Sequence, residues 1–306
     1  MRDVCVLMST YNGSRYLVEQ IKSILEQDYK DRIILFIRDD GSSDDTVSII
    51  RAIDCPNKRE IHLMDSEGNL GVQCSFLTLI ESAPTADYYF LSDQDDVWKA
   101  DHVSSAVNLL SINNPALYCS NYSLTDSNLN IITSCEIEAP PQFTPLKSLF
   151  YNQVPGCCMA WNSQLHRYIV QMHPSNVMMH DSYVLAFACF VGCVLYDPES
   201  HILHRIHGNN VIGAGHKKIS PIHWVIDKAN LLIHKEDYDV SVMANEFLRV
   251  GRKICHSEFE PDIELLAIYK TSLHFTFQLL RHSDTRGKLF DRTVMSIRSK
   301  ILFHLF

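Results

Sequence analysis

The sequence predicts an α/β chain built on a mixed, mainly parallel sheet flanked by helices, with a helical C-terminal extension. Three observations predict it. The first third alternates short branched or aromatic runs with amphipathic stretches at helical spacing, the pattern of βαβ units. Each of the strongest runs ends in small polar or acidic residues, as strands do where they open onto a sheet rim. After Pro115 the alternation weakens, and beyond about Ser220 the chain reads as mainly helical.

Val4 to Met8 reads as the first strand, Tyr11-Asn12-Gly13 as its turn, and Tyr16, Leu17, Ile21, Ile24 and Leu25 as one face of the first helix. Ile33 to Ile37 is a second strand. It ends in Asp39-Asp40-Gly41-Ser42-Ser43, small polar residues suited to capping the helix that carries Val47, Ile49 and Ile50. A short strand at Ile61 to Met64 and a turn at Gly68-Asn69-Leu70-Gly71 lead to a third helix marked by Phe76, Leu77 and Ile80. Tyr88 to Leu91 is a strand that stops at Ser92-Asp93-Gln94-Asp95-Asp96. Parallel topology gathers these strand ends on one rim, where open α/β sheets bind ligands.

Further on, Ala116 to Ser120 reads as a strand, Asn121 to Asn130 as polar turns, and Pro140 to Pro145 as a loop before a short helix at Leu146 to Tyr151. Pro155-Gly156-Cys157-Cys158 opens a second functional segment. His180-Asp181 precedes the apolar run Val184 to Tyr196, which His204 to Asn210 closes, and a helix break is expected near Pro261.

Length and charge bound the function. A chain of 306 residues, 46% of them hydrophobic, is long enough to bury a large core. Acidic residues outnumber Lys and Arg by 36 to 27, a formal charge of -9, which excludes a surface made to grip nucleic acid. A nucleotide-sized anion is still accommodated by backbone dipoles or a metal. The 10 cysteines show no paired metal spacing and read as buried, reduced thiols. With no basic-then-apolar leader at Met1 and no apolar run of bilayer length, the expected setting is a reducing cytoplasm with membrane contact no more than peripheral.

Asp93, Asp95 and Asp96 crowd negative charge at the tip of a hydrophobic strand, where a divalent cation bound to a diphosphate would relieve the repulsion. A solvated acidic loop is the plain alternative. Asp39 and Asp40, with Ser9, Thr10 and Tyr11, form a candidate nucleotide pocket, although each acid would also serve as a helix cap. Asp181, at the head of an apolar helix, suits a general base or a first-turn helix acid. His207 is a candidate third metal ligand or phosphate contact.

Taken together, Ser9 to Gly13, Asp39 to Ser42, Asn69-Leu70-Gly71, Asp93 to Asp96 and His180-Asp181 resemble glycosyltransferase family 2, over roughly residues 3 to 215. His180-Asp181 followed by His204 to Asn210 looks most like its bacterial rhamnosyltransferase-like branch. The resemblance implies a Rossmann-like GT-A catalytic domain at 1–219, with a nucleotide-binding half at 1–115 and an acceptor and catalytic-base half at 116–219, ahead of a helical region at 220–306. It implies that Ser9, Tyr11, Asp40, Asn69 and Asp93 bind the nucleotide-sugar donor. Asp95 and His207 would hold manganese or magnesium, Asp181 would be the catalytic base, and Gly156, Cys157 and His180 would lie on the acceptor side. His180 stands where many relatives carry an acidic residue.

The function so implied is inverting, metal-dependent transfer of a sugar to a hydroxyl of a bacterial polysaccharide precursor, a glycan or lipid-linked oligosaccharide. Rhamnose from dTDP-rhamnose is the first donor expectation, with UDP-glucose or UDP-galactose next. A non-catalytic sugar-nucleotide or glycan-binding protein is the competing class, and a phosphotransferase using Asp93 as nucleophile is a further one. From Arg281 to Phe306 basic and apolar residues interleave, resembling a basic amphipathic helix that would meet an anionic membrane, the catalytic domain or the mate in a homodimer.

Overall fold

The computed structural model describes residues 2–65, 68–111, 113–150, 152–172, 179–208, 240–254, 258–282 and 284. Its first half is four parallel strands, β1 (Val4–Thr10), β2 (Ile33–Asp39), β3 (Arg59–Met64) and β4 (Tyr88–Ser92), ordered β3-β2-β1-β4. Helices α1 (Leu17–Leu25), α2 (Thr46–Ala52) and α3 (Val72–Ser82) make the crossovers. The branched and aromatic runs are buried almost throughout β1 and β4, as strands covered on both faces must be. The chain winds outward from β1 to β3 and then returns to the other side of β1 as β4. That reversal creates a crevice at the strand ends.

Register fixes what meets there. Thr10 pairs with Asp39 and Met8 with Ser92, and Asp40 N–H donates to Thr10 C=O at 2.7 Å. Asp40 and Asp93, each one residue past its strand, therefore flank Ser9 to Tyr11 on one rim.

The second half of the sheet runs through β5 (Val97–Trp98), β6 (Ala116–Thr125), β7 (Ile131–Thr133), β8 (Met159–Asn162) and β9 (Cys193–Arg205). From β4 the order continues β8-β6-β9-β5, with β7 pairing β6, so the nine-stranded sheet is mixed. Helices α4 (His102–Leu109), α5 (Pro145–Phe150), α6 (Ser163–Ile169) and α7 (His180–Val191) flank it.

Two sequence expectations are corrected here. Asn121 to Thr125 is strand rather than turn, because its polar side chains are satisfied inside the protein. Asn121 Nδ2 donates to Ile137 C=O at 2.9 Å and Ser123 Oγ to Ser134 C=O at 2.7 Å. The run Val184 to Tyr196 is two elements, helix to Val191 and strand from Cys193. Gly192 divides them under Pro115, whose carbonyl accepts from Cys193 N–H at 3.1 Å.

Nine of the cysteines are described and are free, but Cys55, Cys74, Cys135 and Cys193 are exposed, against the expectation of burial. Beyond residue 239, α8 (Val240–Gly251), α9 (Glu260–Ile268) and α10 (Leu273–Arg281) follow. Phe247 of α8 is fully buried against Tyr183, Phe187 and Phe190 of α7. The helix break expected near Pro261 lies just before it. Pro261 sits in the first turn of α9, where its missing N–H costs nothing. The basic amphipathic stretch expected to Phe306 lies, after Asp284, outside the described residues. Among the described residues no helix is long and apolar enough to cross a membrane.

A Cβ at Gly192 would lie 2.3 Å from the Pro115 carbonyl oxygen, a backbone atom that cannot swing away. Gly192→Ala is therefore expected to destabilise the fold by about 1–3 kcal/mol, the usual cost of overpacking, in chemical denaturation. An unchanged midpoint would show that the α7 to β9 junction yields freely.

Candidate active site

A cleft of about 1260 Å³ opens at the rim where β1, β2 and β4 end. Its first wall is two loops stitched together. Asn12, at φ 47°, accepts from Ser43 N–H at 2.8 Å and donates its own N–H to Ser42 Oγ at 2.8 Å. Gly13 N–H donates to Thr46 Oγ1 at 2.9 Å and Ser14 N–H to Asp44 Oδ2 at 3.1 Å. The loop after β1 is thus carried by the loop after β2.

Two adjacent acids divide the work. Asp39 accepts from Thr10 Oγ1 at 2.9 Å, Ser42 N–H at 2.8 Å and Ser42 Oγ at 2.6 Å, so it builds the turn. Asp40 is buried, paired with the equally buried Arg38, and accepts from Leu70 N–H at 2.8 Å and Gly71 N–H at 2.9 Å. Gly71 takes φ 79°, a left-handed conformation that glycine reaches without strain. Removing one partner of a buried ion pair costs about 3–5 kcal/mol. Arg38 also donates to Ser75 Oγ at 3.0 Å, which meets Ser9 Oγ at 2.6 Å. Asn69 receives Gly71 N–H at 3.0 Å, and Tyr11 stands half exposed at the mouth.

Past β4, three carboxylates follow within four residues and meet different fates. Asp96 is fully buried and accepts from Arg205 N–H at 3.1 Å, while His204 Nδ1 lies 3.0 and 3.2 Å from its two oxygens. Burial opposes charge on His204, but Asp96 outweighs it and holds the imidazole up to about 12. Asp95 Oδ2 meets His207 Nε2 at 2.8 Å; burial and Asp96 raise its pKa, against the pull of His207. Asp93 is pushed up to about 8 by burial and by Asp96 and Asp95. Gln94, between them, brackets Tyr11 by accepting its N–H at 2.9 Å and donating to its C=O at 3.1 Å.

Two donor sets could hold a metal. Asp93, Asp96, Cys157 and His204 bring ligand atoms within 4.8 Å of one another. They do not suit an ion bound to a diphosphate: neither Asp96 nor Cys157 lines the cleft, and the hydrogen bond with Cys158 and burial hold the Cys157 thiol well above its ordinary range. Asp95 and His207 fit better. Both line the open cleft, and two protein donors leave positions for phosphate and water. Burial raises Asp93 first and the neighbouring carboxylates add to it; a cation at this position would neutralise that added negative charge.

Across the cleft, Asp181 sits in the first turn of α7 with only 5% exposure. Asn152 Nδ2 donates to its Oδ2 at 2.6 Å and Ser182 N–H to its Oδ1 at 2.7 Å. His180 stacks on Phe76 with ring centroids 4.1 Å apart, and burial lowers its pKa, keeping the imidazole neutral. Gly156, in a short 3-10 turn, packs closely on Asp181: a Cβ there would lie 3.1 Å from Asp181 Cβ, a tight contact.

Ser9, Tyr11, Asp40, Asn69, Asp93, Asp95, Gly156, His180, Asp181 and His207 all line this one cleft. Cys157 does not. It is 1% exposed, with its sulfur 3.9 Å from His204 Nδ1, so it packs beneath the floor rather than facing an acceptor. Sequence reasoning missed Arg38, Gln94 and Asn152. The Gln inside the Asp93 to Asp96 run was visible, but nothing in sequence said what it would bracket.

The crowding at Asp93 has a measurable sign. With an unfolded value near 3.8 and a folded value of about 8, the folded state keeps a proton that the unfolded state loses, so the contribution of Asp93 to metal-free stability falls as pH rises from about 4 to about 8. Asp93→Asn keeps the shape without the charge. With chelator present, its melting temperature should exceed that of the wild type at pH 8, and the gap should close toward pH 4. A gap independent of pH would show that Asp93 carries no such strain.

Comparison with known proteins agrees with this geometry. The profile of "Glycosyl transferase family 2" matches residues 5–171. The dTDP-rhamnosyl transferase RfbG of Shigella flexneri is 29% identical over 219 residues, covering 68% of this chain and 74% of that protein. The UDP-Glc:alpha-D-GlcNAc-diphosphoundecaprenol beta-1,3-glucosyltransferase WfgD of Escherichia coli is 26% identical over 125 residues, 41% of this chain and 47% of WfgD. Among solved structures, S. aureus TarS 1-349 in complex with UDP-GlcNAc aligns with TM-score 0.58 and 13% identity, over 100% of this chain and 82% of that one. The mannosyltransferase PcManGT from Pyrobaculum calidifontis, in complex with GDP-Man and Mn2+, aligns with TM-score 0.54 and 15% identity over 99% and 84%. These neighbours share the GT-A fold, and the chain belongs to glycosyltransferase family 2.

Proposed function

We propose that this glycosyltransferase inverts configuration at the transferred sugar, using Asp181 as general base and a divalent cation at Asp95 and His207. The observation that carries the reading is the convergence on one cleft of the strand-end carboxylates Asp40, Asp93 and Asp95 with Asp181 from the opposite half of the sheet. On the donor side, Asp40 has three donors from the protein, which leaves its Oδ2 a lone pair for a base N–H. Tyr11 offers a ring face at the mouth, and Ser9 and Asn69 line the wall between them. Asp93 faces the ribose or the ion's surroundings.

When bound, the cation would supply positive charge against the leaving diphosphate. Asp181 takes the acceptor hydroxyl proton while that oxygen bonds to the anomeric carbon and the bond from that carbon to the diphosphate oxygen breaks. His180 and Gly156 bound the acceptor side of the same space. Rhamnose from dTDP-rhamnose is the proposed donor, supported by the similarity to RfbG. The name of WfgD supports a lipid-linked oligosaccharide as acceptor and keeps UDP-glucose as the second donor to test.

A thermal-shift screen of the full chain against dTDP-rhamnose, UDP-glucose, UDP-galactose and GDP-mannose, each with manganese, magnesium or chelator, selects the donor. The expected outcome is a rise with dTDP-rhamnose and manganese that chelator removes and Asp95→Ala weakens. A rise with another donor alone would reassign the sugar, and a rise unaffected by chelator would remove the cation. In transfer assays with the selected donor, Asp181→Asn should lose roughly 10²–10⁴ in turnover with its donor-induced shift intact. Full turnover would remove Asp181 as the base.

A further inference from the structure

Asp181 comes to the cleft with both carboxylate oxygens engaged. Ser182 N–H, at the start of α7, holds Oδ1 at 2.7 Å, and the Asn152 amide holds Oδ2 at 2.6 Å. The first contact belongs to the helix itself and fixes one oxygen to the backbone. A carboxylate torsion is broad, so one anchor leaves the plane of the group free to turn. The second anchor comes from a different segment, and it sets that plane.

The Asn152 amide is itself oriented. Its Oδ1 accepts from Val154 N–H at 3.3 Å, which aims the –NH₂ end at Asp181. Four residues after Asn152, Gly156 lies flush against the same side chain, where even a methyl group would sit 3.1 Å from Asp181 Cβ. The segment from Asn152 to Gly156 therefore clasps Asp181 from two sides, by a donor on its oxygen and by backbone against its stem.

We propose that Asn152 is the positioning residue of the general base, setting the carboxylate plane of Asp181 so that one lone pair faces the acceptor hydroxyl. The inference rests on the reading of Asp181 as base. An amide N–H donates and takes up no proton, so Asn152 leaves Asp181 a pure acceptor toward the substrate. In the reaction, the acceptor O–H bond breaks and its proton moves to an Asp181 oxygen. The acceptor oxygen forms its bond to the anomeric carbon, and the diphosphate departs with the electron pair of the broken bond. Asn152 contacts the base and not the reacting atoms.

Two variants separate this role from loop structure. Asn152→Ala deletes the donor; Asn152→Asp keeps size and shape but turns the donor into an acceptor. The full chain, labelled with ¹³C at aspartate Cγ, is observed without ligand at one fixed pH, the Asp181 signal being assigned by its loss in Asp181→Asn. That signal is expected to move in both variants, because the Asn152 donor to its Oδ2 is gone. Turnover with the donor selected above should fall by roughly 10²-fold, the cost of a misplaced reacting group, with the donor-induced thermal shift kept. An Asp181 signal unchanged in both variants overturns the proposal and leaves Asn152 a loop residue. The spectrum reads the contact whether or not Asp181 is the base, whereas turnover of Asp181→Asn reads the base, so the two ideas fail separately.

Discussion

Three carboxylates at the end of one buried strand cannot all stay charged without partners, and much of this protein answers that constraint. Asp96 is neutralised by His204 and anchored by Arg205 N–H, Asp95 is met by His207, and Asp93 is left with its charge opposed. All three partners come from the end of β9 or just past it. For them to arrive there, β9 must run parallel to β6 for its whole length, and its register shifts between Ser120 and Ser123 let the pair bend toward the rim. Arg205 then closes the arrangement by donating to Asp95 C=O at 2.8 Å and pairing with Glu19 of α1. The late strand is held to the early half of the sheet by the charge that the early half created.

The wall built from the loops after β1 and β2 obeys a different rule. Its acids are spent on loops before any ligand arrives: Asp39 on the turn after β2, Asp44 on the loops after β1 and β2, Asp40 on the turn before α3. Backbone amides pinned by carboxylates keep tight turns in place without apolar packing. That is how a wall made of loops holds its shape.

The parallel half was legible because branched runs ending in Asp, Ser and Gly obey period and punctuation together, and the rim residues followed from topology alone. The second half was less legible for physical reasons. Asn121, Ser123 and Thr125 look like turn residues, yet each is buried within a strand. Polarity signals a turn only where water is the partner. Likewise Val184 to Tyr196 is one apolar run that changes from helix to strand at Gly192, and hydrophobicity carries no mark of that change. In the site, Asp40, Asp93, Asp95 and Asp181 stood out by charge at element ends. Arg38, inside a strand, and Asn152, in a loop, did not, since their importance lies in partners 2 and 29 residues away.

The Asp181 side of the cleft gains its rigidity from packing. Every residue of α7 is buried, including His180 and Asp181, and Phe247 of α8 seals it from behind. A helix buried all round cannot rotate or fray without exposing its apolar side chains, so the acid in its first turn is fixed to the core. The loop wall is thus set by hydrogen bonds and Asp181 by hydrophobic burial. Temperature and denaturant act on these two kinds of support differently. The segment from Asn152 to Gly156 lines the same cleft and lies against Asp181, with Asn152 Nδ2 donating to its Oδ2 at 2.6 Å.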